Sequence, residues 1–172
     1  MSSNKCGSDL TYTLTSDSLE ISGSGEMYDY TWNNKAPWYS SESSIKSVTI
    51  GNSVTSIGKY AFYWCLSLTT ITIPNSVTSI RSSAFRFCSI LTTVNYKGIN
   101  NPGSSSVFTG CTQPIIVNVP VNYNSDDFCG INVSRSLPAV DARTYPQQNA
   151  DKIASFFEEF SILFFILEGR TS

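Results

Sequence analysis

The chain of 172 residues contains no histidine, and only 14% of its residues are charged. Without an imidazole there is no Ser-His-Asp or Cys-His nucleophilic system, no His-ligated zinc, and the commonest general base is missing. Acids are absent from the middle of the chain. Residues 43–125 carry Lys46, Lys59, Arg81, Arg86 and Lys97 and not one Asp or Glu. A glycosidase needs two carboxylates facing one cleft, and this region supplies none. Neither a Gly-x-x-x-x-Gly-Lys nor a Gly-x-Gly-x-x-Gly phosphate loop occurs. No basic cluster points to nucleic acid, because the five cations fall in different columns of the repeat described next. No apolar run reaches the roughly 20 residues that span a bilayer. The expectation is a non-enzymatic protein with no cofactor, no metal and no nucleic-acid partner.

What the chain has is repetition. Ile45-Lys-Ser-Val-Thr-Ile-Gly-Asn-Ser-Val-Thr-Ser-Ile57 returns 23 residues later as Leu68-Thr-Thr-Ile-Thr-Ile-Pro-Asn-Ser-Val-Thr-Ser-Ile80. A looser copy starts at Leu91 and a half copy at Pro114. Aligned, the copies give apolar columns: Val48/Ile71/Val94/Val117, Ile50/Ile73/Tyr96/Val119, Val54/Val77, Ile57/Ile80, Ala61/Ala84/Val107, Phe62/Phe85/Phe108 and Cys65/Cys88/Cys111. A fixed period of roughly 20–29 residues with apolar columns is the signature of a leucine-rich-type solenoid. One such unit buries too little to fold alone, so each residue must pack on its counterpart one coil away.

Within each copy, Val48-Thr-Ile50, Ile71-Thr-Ile73, Val94-Asn-Tyr96 and Val117-Asn-Val119 alternate apolar and polar residues, as strands with one buried face do. Gly51-Asn-Ser53 and Pro74-Asn-Ser76 turn the chain. Ala-Phe-x-x-Cys predicts a short helical turn on the opposite side.

The frame Ile73-Pro-Asn-Ser-Val-Thr-Ser-Ile80 with Ala84-Phe85 and Cys88, repeated at Ile50–Cys65, resembles the BspA-type leucine-rich repeat. The resemblance covers residues 45–120 and, more loosely, the N-terminal segment. It implies a curved solenoid on a cell surface, associated with adhesion to host matrix proteins or to other cells, and it carries no catalytic residues. The fold class expected is α/β: a mostly β solenoid with a parallel concave sheet, short helical turns on the convex side and an N-terminal β-hairpin cap.

The flanks complete the organisation. Residues 1–44 read as a hairpin and aromatic cap. Leu10, Tyr12 and Leu14 alternate with threonines, Ser16-Asp-Ser18 turns, and Leu19 and Ile21 return. Tyr28, Tyr30, Trp32, Trp38 and Tyr39 follow. Two readings fit that cluster: a cover for the apolar end of the first coil, or a platform on which Trp32 and Trp38 stack sugars. Residues 45–129 form the solenoid, with repeats 45–67, 68–90 and 91–113 and a half repeat 114–129. In the third repeat Asn100–Ser106 replaces the Val-Thr-Ser-Ile element, and a looser, more exposed loop is expected there. Residues 130–172 form a tail with a helix predicted over 151–168, capped by Asp151 and stopped by Gly169. Its apolar run Ile162–Leu167 has the character to cover the end of the solenoid or to touch a membrane surface, and partial disorder is the third reading. Asn132-Val-Ser134 is a glycosylation sequon, relevant only on export. Met1-Ser-Ser-Asn-Lys-Cys6 shows no apolar core of a signal peptide. A trimmed chain, an unconventional export route and an intracellular protein all remain compatible with that start.

The cysteine column is tempting as a metal site, but three thiolates about 4.8 Å apart do not all lie about 2.3 Å from one zinc. Cys65, Cys88 and Cys111 are therefore expected in the core, while Cys6 and Cys129 either pair or stay free. The candidate ligand-binding surface is the row of outward strand residues Ser47, Thr49, Thr70, Thr72, Thr93, Asn95 and Asn118. On a solenoid this is a rigid concave face, where such proteins bind; strand propensity alone also accounts for the threonines. The partners expected are proteins, a host matrix or cell-surface protein first, with glycans as an alternative and an intracellular scaffold as the other reading.

Overall fold

The computed structural model describes residues 4–133. The helix expected over 151–168, the apolar run within it and the rest of the tail beyond 133 lie outside the described residues. The chain there opens with β1 (Gly7–Leu14) and β2 (Ser18–Met27), an antiparallel hairpin in which Leu14 faces Leu19 and Tyr12 faces Ile21. Then come β3 (Ser47–Ile50), β4 (Val54–Ile57), β5 (Thr70–Ile73), β6 (Ser79–Ile80), β7 (Thr93–Tyr96), β8 (Ile116–Asn118), β9 (Asp127–Phe128) and β10 (Ile131–Asn132).

The columns read from the sequence become neighbours. In the sheet β5-β7-β8, Ile71 pairs in parallel with Val94 and Val94 with Val117, each one 23-residue period apart. On the other side of each coil, β4 pairs with β6 through Ser56 and Ile57. The hairpin is built into this system. The long strand β2 runs parallel to β3 with Leu19 beside Val48 and Ile21 beside Ile50, and parallel to β4 with Gly25 beside Val54. Period-two burial follows: the apolar residues of β3, β5 and β7 are buried while their neighbours face outward.

Two expectations need correction. The fold is mostly β, and the α component of the expected α/β class is missing: the only helix among the described residues is one 3-10 turn, Tyr39–Ser41. Ala61–Cys65 and Ala84–Cys88 form turns, not helix. Backbone N–H groups that a helix would use internally go to the next coil instead: Phe62 N–H to the Ala84 carbonyl at 2.8 Å, Trp64 to Arg86 at 3.0 Å, Phe85 to Val107 at 3.1 Å and Phe87 to Thr109 at 3.1 Å. Left-handed backbone at Tyr60, Trp64, Ser83 and Phe87 also breaks the helical path. Second, the strand column is not one continuous sheet. β3 pairs with β2 and β5 pairs with β7, but β3 and β5 are not hydrogen-bonded to each other.

The core is a stack. Trp38, Phe62, Phe85, Phe108 and Phe128 follow one another at ring-centroid separations of 6.0, 5.1, 5.5 and 6.2 Å, the middle rings within 15–16° of parallel. Trp38 begins the series and is buried, its indole Nε1–H donating to the Ala61 carbonyl at 2.8 Å. The segment at Asn100–Ser106 is better anchored than its composition suggests. Pro102 is buried and its carbonyl accepts from Ile80 N–H at 2.7 Å, while the Asn101 side chain accepts from Cys129 N–H at 3.0 Å.

Candidate functional site

The outward residues of the strands separate into two groups. Ser47 and Thr49 on β3 and Thr70 and Thr72 on β5 line one open groove of about 500 Å³, which Lys46 and Lys97 also border. None of its lining residues is acidic. Thr93, Asn95 and Asn118 continue the row across β7 and β8. Thr72 pairs with Asn95 and Asn95 with Asn118 in register, and Asn118 Nδ2 donates to Asn95 Oδ1 at 2.8 Å. Ile116, also on this row, is largely exposed.

The groove lies where the ladder opens, and the sequence supplies one cause. Gly51 N–H donates to the Ile21 carbonyl at 2.9 Å, and Lys97 N–H to the Ile73 carbonyl at 3.0 Å. The equivalent donor between them belongs to Pro74, which has no N–H. The start of the strand shows the same break. Lys46 and Ser47 N–H both reach the Asp17 carbonyl, and Thr92 and Thr93 both reach that of Thr69, but Thr69 does not reach Lys46. β4 and β6 still hold these two coils together at their far side.

Of the two cations that border the groove one is paired, and a further cation of the repeats is held on the far side of the coils. Lys46 pairs with Asp17 at 3.5 Å, both largely exposed. Arg81 forks to Asp29 at 2.8 Å and Glu26 at 2.7 Å, so acids of the N-terminal segment answer a cation of the repeats. Asp29 also accepts from Lys59 N–H at 2.8 Å. Burial pushes the Asp29 carboxyl up, but the Lys59 N–H and the Arg81 guanidinium outweigh it and hold the group below its ordinary value. Lys97 makes no ion pair among the described residues.

The cysteines take core places. All five are free thiols, Cys6 and Cys129 included, and Cys65 and Cys88 are fully buried. Cys88 Sγ–H donates to the Phe62 carbonyl at 3.1 Å and Cys111 Sγ–H to the Phe85 carbonyl at 3.2 Å. Burial pushes Cys65 up to about 12 and Cys88 well above its ordinary value. No group of ligands able to hold a metal is found among the described residues, and no helix there is long and apolar enough to cross a membrane.

The two tryptophans named for sugar stacking part company. Trp38 is core, 1% exposed, and has no free face, whereas Trp32 is 60% exposed. Sequence reasoning missed the rings grouped with Trp32: Trp64, which is exposed, and Tyr63 and Phe87, which are half-buried. Their signal was in the turn segments, where an aromatic stands outside the apolar columns.

Strands in parallel register at a 23-residue period define a repeat protein of the leucine-rich type. The chain belongs to the BspA type leucine rich repeat family, whose model matches residues 36–132 in six copies. A leucine-rich repeat protein from Eubacterium ventriosum has a similar structure, with a TM-score of 0.50 and 22% identity over 69% of this chain and 44% of that one. A leucine rich cell surface protein from Faecalibacterium prausnitzii is also similar, with a TM-score of 0.46 and 16% identity over 73% of this chain and 43% of that one. The chain thus spans less than half the length of either protein. No curated protein matches it.

Proposed function

We propose that the chain is a non-enzymatic protein-interaction module of a cell surface, adhering to a host matrix protein or a neighbouring cell. We read residues 45–129 as coils of a solenoid whose concave face carries Ser47, Thr49, Thr70, Thr72, Thr93, Asn95 and Asn118. The family supports an interaction role. The observation that carries the choice of face is the groove, since four of the seven residues line one opening of about 500 Å³. Short hydroxyl side chains on strands hold donors and acceptors at fixed positions with little rotamer entropy to lose, which suits recognition of a polar protein surface.

The test replaces Thr49, Thr72, Asn95 and Asn118 together with lysine. Binding to an immobilised extracellular-matrix preparation is then lost while the circular dichroism spectrum stays the same. Unchanged binding removes this face from consideration. Protease shaving of intact cells tests the location: the chain is cleaved on a surface, and protection until lysis turns the search to intracellular partners.

A further inference from the structure

A second surface lies on the turn segments after β4 and β6. Trp64 and Phe87 stand one period apart, both with left-handed backbone (φ 61° each), and the third member of their column is Gly110 at φ 79°. Glycine takes that conformation freely; bulky side chains resist it. Gly110 also leaves room for a neighbour, because a Cβ there would lie 2.2 Å from the Phe87 ring. The fold thus favours glycine in this column, yet two coils carry aromatics. Burial explains Trp64 only in part, since it packs on neighbouring rings yet stays 38% exposed.

These rings form a contiguous group. Tyr63 and Trp64 stack at 5.3 Å and 21°, Trp32 stands nearly perpendicular to them at 6.0 and 6.4 Å, and Phe87 lies 5.9 Å from Tyr63. Two cations rest on the group. Lys35 Nζ lies 3.6 Å from the Tyr39 ring centre and 5.2 Å from that of Trp32, and the Arg86 guanidinium lies 4.8 Å from that of Phe87. Neither makes an ion pair among the described residues, and Arg86 Nε is buried without a hydrogen-bond partner.

The shape restricts the ligand. The depression among Trp32, Lys35, Tyr39, Tyr60 and Tyr63 holds only about 10 Å³, room for one water. A protein anchor side chain needs a pocket to fill, and this depression is too small for one. The rings are not coplanar, so a chain of flat units, each laid on one ring, fits instead. Pyranose rings present a flat face of C–H bonds to the electron-rich face of an aromatic ring. A carboxylate near the plane of such a ring would meet the guanidinium fork.

We propose that Trp32, Tyr63, Trp64 and Phe87, with Lys35 and Arg86, bind an acidic carbohydrate built of uronate rings. This site is separate from the polar strand face and stands or falls without it. The test titrates the full chain with polygalacturonate by calorimetry, beside the methyl-esterified polymer (rings without charge) and poly-glutamate (charge without rings). Polygalacturonate binds, and both controls bind at least about tenfold more weakly. Trp64→Gly, which copies the Gly110 column, and Trp32→Ala each weaken binding by about tenfold; Trp32→Ala keeps the test open if the first variant does not fold. No binding of polygalacturonate, equal binding of either control, or equal binding by Trp32→Ala overturns the proposal.

Discussion

Pro74 occupies, one period later, the place of Gly51, and that single exchange removes a rung from the ladder. Gly51 donates to the Ile21 carbonyl at 2.9 Å, whereas Pro74 has no hydrogen to offer the Ile50 carbonyl. The groove between β3 and β5 opens beside that missing rung.

Pro74→Ala should therefore narrow the groove. The new N–H gains a backbone bond worth about 0.5–1.5 kcal/mol, offset by about 0.4–1 kcal/mol of lost proline rigidity. Stability stays within about 1 kcal/mol, while hydrogen exchange shows a new protected amide at position 74. An amide there that exchanges like an open loop contradicts this account of the opening.

Phe85 is stacked between Phe62 and Phe108 at 5.1 and 5.5 Å and is fully buried. Phe85→Ala should cost about 3–5 kcal/mol, the range for large aromatic truncations in a core. Urea denaturation measures it. A loss under about 1 kcal/mol would mean that the aromatic column does not hold the coils together.

Arg81 joins Glu26 and Asp29 across more than fifty residues of chain. The Asp29 carboxyl is held below its ordinary value in the folded protein. Its contribution is therefore present above the unfolded carboxylate value and is lost as pH falls through the folded one. Arg81→Gln should lower stability by roughly 0.2–1 kcal/mol at pH 7, the range for exposed pairs. That difference from wild type should vanish as the pH drops far enough to protonate both carboxylates of the fork. A difference that persists once Asp29 and Glu26 are both protonated contradicts the assignment.

Thiol reactivity separates the cysteines. Burial raises Cys6 to about 11 and Cys65 and Cys129 to about 12, so few thiolates exist at neutral pH. Cys111 is half-buried and should react first with an aromatic disulfide reagent. The other four should react only on unfolding. A fast reaction of Cys65 or Cys88 in the native protein contradicts the core placement.

The part of the fold legible in the sequence is the part governed by burial. Val48, Ile71 and Val94 announce their columns because each must pack on its counterpart. Backbone accounting was not legible. Ala61–Cys65 and Ala84–Cys88 suggested helical turns, since composition does not reveal that Phe62 and Phe85 give their N–H groups to the next coil. Trp32 and Trp38 looked equivalent as aromatics; one is exposed and the other begins the ring stack. The Arg81 fork was hidden because nothing local joins it to Asp29. At the candidate face, strand alternation pointed to Thr49 and Thr72, but it did not show that the ladder between them opens, with one rung missing at Pro74 and another at the strand start.

The most direct test of the polar-face account is hydrogen–deuterium exchange of the full chain with and without the extracellular-matrix preparation. Added protection confined to 46–52, 69–74, 93–97 and 116–118 is the predicted result. Protection confined to other segments while the matrix is bound would contradict it.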